Sequence, residues 1–154
     1  MIEFTNTVVV DRPASEVYDY LSDLENVPDW NWAISRTEKL TPGPPRVGTR
    51  YRQTRTVPRP ATEALEISGL EPDRVVEIQG TLAGMPARLR YTLKESGPET
   101  EITNTVHLVV RGVLQLAAPA LGRRIDRAVV SNLRDLKKEL ERGRSPQNWK
   151  GNRS

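Results

Sequence analysis

From Leu114 onward the apolar residues recur in steps of three and four: Leu114, Ala118, Leu121, Ile125, Val129, Leu133, Leu136 and Leu140. That spacing places them on one side of an α-helix. Arg123, Asp126, Arg127, Arg134, Asp135, Lys138 and Glu141 fall on the other side. The pattern predicts a helix over Leu114–Arg142 that either begins properly at Pro119 or kinks there. A rod of roughly 40 Å, at about 1.5 Å per residue, needs a broad surface to lie on.

The residues before it supply such a surface, because their period changes to two. Ile2 to Val10 alternates as a strand, with Ile2, Phe4, Val8 and Val10 against Glu3, Thr5 and Thr7. Arg12-Pro13 opens a short helix carrying Val17, Leu21 and Leu24 on one side. A second short helix over Leu24–Trp30 is expected to bend near Pro28, and Ile34–Leu40 reads as an edge strand. A meander follows: Thr49–Val57, Thr62–Leu70, Arg74–Thr81, Ala87–Glu95 and Glu99–Val110. Its reversals are Pro58-Arg59-Pro60, Glu71-Pro72-Asp73, Leu82-Ala83-Gly84-Met85-Pro86 and Ser96-Gly97-Pro98, each with the Pro, Gly or Asp that a turn asks for.

One choice of face per strand fixes the rest of the meander. The inward set is Tyr51, Gln53, Arg55, Glu63, Leu65, Ile67, Val76, Ile78, Leu89, Tyr91, Leu93, Ile102, Asn104, Val106 and Leu108. The outward set is Arg50, Arg52, Thr54, Thr62, Glu66, Glu77, Arg88, Arg90, Thr92, Glu101, Thr103 and His107. Four inward residues are polar. A turn centred on Pro58-Arg59-Pro60 puts Arg55 opposite Glu63, where an ion pair would hold the hairpin end. A turn centred on Gly97 puts Asn104 opposite Tyr91. Buried polar groups cost free energy unless bonded, and a cavity holding water or ligand relieves that cost. Gln53, Tyr91 and Asn104 are therefore candidate polar anchors among apolar walls, unless they are bonded internally or turned outward by a bulge.

Composition narrows the function classes. The chain has 154 residues, 36% hydrophobic, with three Trp, four Tyr and one Phe, enough for one domain around a core or a hollow. Without cysteine, disulfides and thiol chemistry are excluded and the cytoplasm is the expected location. No signal-peptide pattern appears at the start, and no apolar run is long enough for a transmembrane segment. Arg144, Lys150 and Arg153 account for the net charge of +3, so the first 142 residues hold 20 basic and 20 acidic residues. That balance argues against nucleic-acid binding, and residues 143–154 read as a disordered basic tail.

Several groups of residues carry a resemblance. They are Arg12-Pro13-Ala14-Ser15-Glu16-Val17-Tyr18-Asp19-Tyr20-Leu21-Ser22-Asp23, then Val27-Pro28-Asp29-Trp30-Asn31, Val47-Gly48-Thr49-Arg50-Tyr51, and Arg111-Gly112-Val113-Leu114 before the last helix. With the order of elements, they resemble the SRPBCC or START-like superfamily, and within it the polyketide cyclase/dehydrase and lipid-transport group. The resemblance implies an α+β helix-grip fold (Bet v 1/START-like) over residues 1–142. In it a curved antiparallel sheet of about seven strands wraps a long C-terminal helix, with two short helices after the first strand. It also implies an apolar cavity between sheet and helix for a lipid, polyketide or isoprenoid. No catalytic motif of the family maps onto numbered positions; Tyr91 and Asn104 are the candidates if chemistry is done.

The expected cavity wall is Trp30, Trp32, Tyr51, Gln53, Leu65, Ile67, Ile78, Leu82, Met85, Leu89, Tyr91, Asn104, Val106, Leu121, Ile125 and Val129. A tryptophan after the short helices either caps a pocket or plugs the core end, and the resemblance favours Trp30 as the plug. Leu82 and Met85 form either an apolar lip or the closed end of the sheet. His107, the lone histidine, falls on the outer face with no second ligand for a metal, so neither metal nor cofactor is expected. Glu63 is the one inward carboxylate, and pairing with Arg55 would keep it charged and inert. The outer stripe of Arg50, Arg52, Arg88 and Arg90 is offset by Glu66, Glu77 and Glu101. There is no phosphate loop or nucleophile elbow. Three functions fit: a carrier or sequestering protein for a hydrophobic small molecule, a polyketide cyclase or dehydratase, or a protein-interaction module. A monomer or weak homodimer is expected.

Overall fold

Seven strands, most of them alternating buried and exposed side chains, make up the sheet of the computed structural model, which describes residues 1–142. They are β1 (Ile2–Val10), β2 (Ile34–Lys39), β3 (Arg50–Arg55), β4 (Ala61–Glu71), β5 (Val75–Leu82), β6 (Met85–Ser96) and β7 (Glu99–Leu108). All neighbours pair antiparallel in the order β1-β7-β6-β5-β4-β3-β2, so the meander closes onto β1 and leaves β2 at an edge. This is the helix-grip architecture expected from the sequence. A bulge between Ile67 and Gly69 breaks the β4–β5 register, which bends a strand and sharpens its twist.

Helix α1 (Ala14–Leu21) follows Pro13 and buries Ala14, Val17, Tyr20 and Leu21. Its first N–H is capped from the sheet: Ala14 N donates to Glu95 Oε1 at 2.8 Å. The second short helix is a single 3₁₀ segment, Leu24–Asp29, with Pro28 inside it and the Asp23 carboxylate accepting from Glu25 N. The last helix, α2, spans Ala118–Glu141 with Pro119 in its first turn, so the helix starts there and does not kink. The predicted first four residues instead belong to a 3₁₀ segment, Gly112–Ala117.

Two turns differ from expectation. The β3–β4 register is shifted by two residues: Gln53 faces Glu63, and Arg55 faces Ala61. The proline-rich stretch suggested a turn centred on Arg59, but β4 already pairs at Ala61, so the reversal is shorter on that side. The β5–β6 connection is a two-residue turn with Ala83 (φ 51°) and Gly84 (φ 81°) both left-handed, which suits the twist of a tight hairpin. Leu82 and Met85 thus pair directly as strand residues.

Helix α2 runs along β1. Gly122 lies against Ile2, Asn6 Nδ2 donates to Asp126 Oδ1 at 2.6 Å, and Lys137 Nζ donates to the Val9 carbonyl at 2.7 Å. Asp11 N donates to Glu141 Oε2 at 2.6 Å, and Lys137 reaches the same carboxylate at 2.8 Å. Asp126, placed on the solvent side by periodicity, is therefore a flank contact. Burial pushes the Glu141 carboxyl up, but Lys137, the Asp11 N–H and Arg12 outweigh it and hold the group below its ordinary value.

Two expectations follow. A Cβ at Gly80 would run into the Ala64 carbonyl and sit 2.8 Å from Leu65 Cδ2. Gly80→Ala is expected to cost about 1–3 kcal/mol in urea unfolding; an unchanged midpoint would mean that the β4–β5 ladder yields freely. A carboxyl held low in the folded chain contributes stability above its unfolded pKa and loses it as pH falls through the folded value. Glu141→Gln should therefore weaken the protein at neutral pH and flatten the loss of stability below about pH 4.3. Identical pH profiles for the two proteins would remove this tie from the account.

Candidate ligand-binding site

The concave face carries two apolar clusters. One contains Trp30, Tyr51, Leu65, Ile67, Ile78 and Tyr91 with Leu133, Leu136 and Leu140 of α2. The other contains Met85, Val106, Leu108 and Val110, with Leu121 and Ile125 packed against it. Leu82, Leu89 and Val129 touch both. The two halves of α2 therefore differ. Leu133, Leu136 and Leu140 are buried, whereas the inward Leu121, Ile125 and Val129 stay half-exposed, as do Leu82 and Leu89 facing them. Inward residues that remain partly wet mark the accessible end of the helix–sheet interface.

Asn104 sits between these clusters, on β7 between Ile102 and Val106 on the same face. It is 1% exposed, and neither its Oδ1 nor its Nδ2 has a partner among the described residues. Directly across β6 stands Tyr91, as the alternation predicted. Across β1 stands Asn6, whose amide is committed to Asp126. The Trp30 ring meets Tyr91 edge-on, with centroids 6.4 Å apart. Burial pushes the Tyr91 hydroxyl far above its ordinary pKa, so it stays protonated and can donate. Other buried side-chain atoms without a hydrogen-bond partner among the described residues include Thr37 Oγ1, Tyr51 Oη and Asn132 Oδ1, the last on α2 three residues after Val129. In the sequence Asn132 is obscured by the apolar stripe continuing at Leu133, and its +3 step from Val129 is the available signal.

Gln53 is not a free anchor. Its Nε2 donates to Glu63 Oε1 at 2.9 Å, Arg55 Nε donates to Glu63 Oε2 at 2.9 Å, and Ala83 N donates to the same oxygen at 2.6 Å. The predicted Arg55–Glu63 ion pair forms, diagonally rather than directly across the ladder. Glu63 thereby fastens β3 and the β5–β6 turn to β4.

The remaining sites divide as follows. Trp30 is buried and fills the core end, but Trp32 is 56% exposed and joins neither cluster. Asn31 Oδ1 accepts from Ala33 N at 3.1 Å, and this local turn separates the two indoles. Met85 is buried beside Leu108 and Val110, so it closes the sheet end instead of forming a lip. His107 lies on the outer face with Nδ1 3.0 Å from Glu3 Oε2. Arg52 pairs with Glu38, and Arg90 pairs with Glu77 across the ladder. Among the described residues there is no group of three His, Cys, Asp or Glu side chains that could hold a metal, and no helix is long and apolar enough to cross a membrane. An open depression of about 710 Å³ lies elsewhere, between the start of α1, the β4–β5 turn and the second half of β6, lined by Glu71, Asp73, Arg74, Arg90, Lys94 and Glu95 among others. It contains none of the predicted wall residues, and its charged lining does not suit an apolar ligand.

Residues 1–141 match the model of the family described as polyketide cyclase / dehydrase and lipid transport, and the chain belongs to that family. Its fold is similar to the Zhui aromatase/cyclase from Streptomyces sp. R1128, at 19% identity and TM-score 0.77, covering 91% of this chain and 93% of that one. It is also similar to a START superfamily protein from Mycobacterium smegmatis, at 14% identity and TM-score 0.79, covering 91% and 97%. A third likeness is to the ginseng major latex-like protein 151 from Panax ginseng, at 12% identity and TM-score 0.65, covering 89% and 95%. No curated protein matches the chain in sequence.

The Glu63 clasp yields a prediction. Glu63→Ala strands the largely buried Arg55 and frees the Ala83 N–H, and is expected to cost about 3–5 kcal/mol. The double variant Arg55→Ala/Glu63→Ala should lose less than the two single losses added together. Strict additivity in urea titrations would show the groups acting independently.

Proposed function

We propose that this chain binds a hydrophobic small molecule carrying an oxygen function, of the lipid, polyketide or isoprenoid kind, between α2 and the concave sheet. The carrying observation is Asn104: a buried amide with neither atom bonded, set between two apolar clusters. A buried unsatisfied amide costs about 1–3 kcal/mol, a cost that a ligand hydroxyl or carbonyl would offset. The apolar body would lie against Leu89, Val106, Ile125 and Val129, with entry at the half-exposed end. The Tyr91 hydroxyl supplies a second donor. Family membership supports this reading, since the family takes its description partly from lipid transport.

A second reading, cyclase or dehydratase chemistry, is favoured by one feature. A protonated Tyr91 beside an unbonded amide could polarise a carbonyl while the walls hold a chain folded for ring closure. The fold likeness to an aromatase/cyclase points the same way. On this reading Tyr91→Phe abolishes turnover while binding persists.

The two roles of Asn104, anchor or scaffold, separate in Asn104→Leu. Leucine is close in size and has no polar atoms to leave unsatisfied. The ligand-free variant is expected to be at least as stable as the parent. Its affinity for an oxygenated apolar probe such as a long-chain fatty alcohol should fall about tenfold, with little change for the matching alkane. Lower stability with unchanged probe affinity would make Asn104 a scaffold residue and remove the reading's main support.

A further inference from the structure

The 3₁₀ segment Gly112–Ala117 buries nothing. Val113 is 83% exposed, Leu116 89% and Leu114 49%, an apolar group on one short projecting turn. Side chains of this kind are normally covered unless the surface meets another apolar phase. Charge identifies that phase. From Ile102 to Ile125 the chain has no Asp or Glu, while Arg111, Arg123 and Arg124 flank the segment and are exposed. The nearby Glu3 lies on the outer face of β1 against His107. The contact of Gly122 with Ile2 puts exposed Met1 at the same end of the molecule. An exposed apolar turn with exposed arginines on both sides of it in the chain is complementary to a surface that is apolar within and anionic at its face. A second copy of the chain fits poorly, because a symmetric contact would set the arginines against their own images.

We propose that the Gly112–Ala117 turn docks this protein onto anionic phospholipid bilayers, with Val113, Leu114 and Leu116 entering the acyl boundary and Arg111, Arg123 and Arg124 meeting the headgroups. Docking does not depend on the ligand reading, but it has a bearing on it. The turn leads directly into the half-exposed stretch of α2 that holds Leu121 and Ile125, so the accessible end of the interface would face the bilayer.

Vesicle sedimentation tests the proposal with the full chain, using phosphatidylcholine vesicles with and without phosphatidylglycerol. Binding is expected to the mixed vesicles, to weaken as salt rises, and to be much weaker on phosphatidylcholine alone. Leu114→Ser/Leu116→Ser should reduce binding roughly tenfold or more with an unchanged melting temperature, because neither side chain is buried. Arg123→Gln/Arg124→Gln should reduce it too and flatten the salt dependence. Absence of binding to mixed vesicles at low salt would overturn the proposal, as would full binding by the Leu114→Ser/Leu116→Ser variant. Light scattering that shows a dimer in the parent and a monomer in that variant would reassign the turn to self-association.

Discussion

The attachment of α2 to the sheet is uneven along its length, and the rest of the structure depends on that asymmetry. The C-terminal half is held by buried Leu133, Leu136 and Leu140 and by polar ties to β1 through Lys137 and Glu141. Burying three leucines contributes about 1.5–3 kcal/mol each, before the entropy of ordering them is counted. Among the described residues the N-terminal half has one polar tie to the sheet, Asn6 to Asp126, and apolar residues that remain half-exposed. A helix fixed firmly at one end and lightly at the other can leave room beneath itself without detaching.

The sheet answers that asymmetry. Its inward face is filled at the end where Trp30 and Tyr51 meet the leucines, and it turns polar at Asn104, where the two apolar clusters adjoin. Three other inward polar residues, Gln53, Arg55 and Glu63, satisfy one another and the Ala83 N–H, while the buried hydroxyls of Thr37 and Tyr51 share with Asn104 the lack of a partner among the described residues. The contrast gives Asn104 its meaning. The same face gives the Glu63 carboxylate three donors and leaves the Asn104 amide, equally buried, with no partner among the described residues.

Much of this was legible from period alone. Alternation assigned the faces of β3 to β7 and set Asn104 opposite Tyr91, because the short Gly97 turn leaves little freedom of register. Pro119 marked the start of α2. The misreadings have local causes. Adjacent prolines suggested a turn centre for β3–β4 that the ladder does not use, which shifted Arg55 by one pair of residues. Trp32 groups with Trp30 in the sequence because both follow the short helices, but the Asn31 turn separates them. The Ala83 bond to Glu63 depends on a backbone N–H in a left-handed turn, which no side-chain pattern encodes. Asn132 was hidden by a leucine next to it. Residues 143–154, expected as a disordered basic tail, lie outside the described residues.

The central proposal is that an apolar molecule binds beside Asn104, between the sheet and the loosely held half of α2. Native mass spectrometry of the full chain, purified without detergent and then extracted with organic solvent, addresses it most directly. The account predicts a discrete small-molecule adduct that the solvent releases as an apolar, oxygen-bearing compound and that Asn104→Leu retains poorly. A bare polypeptide mass that stays unchanged after exposure to a broad lipid and polyketide extract would contradict it.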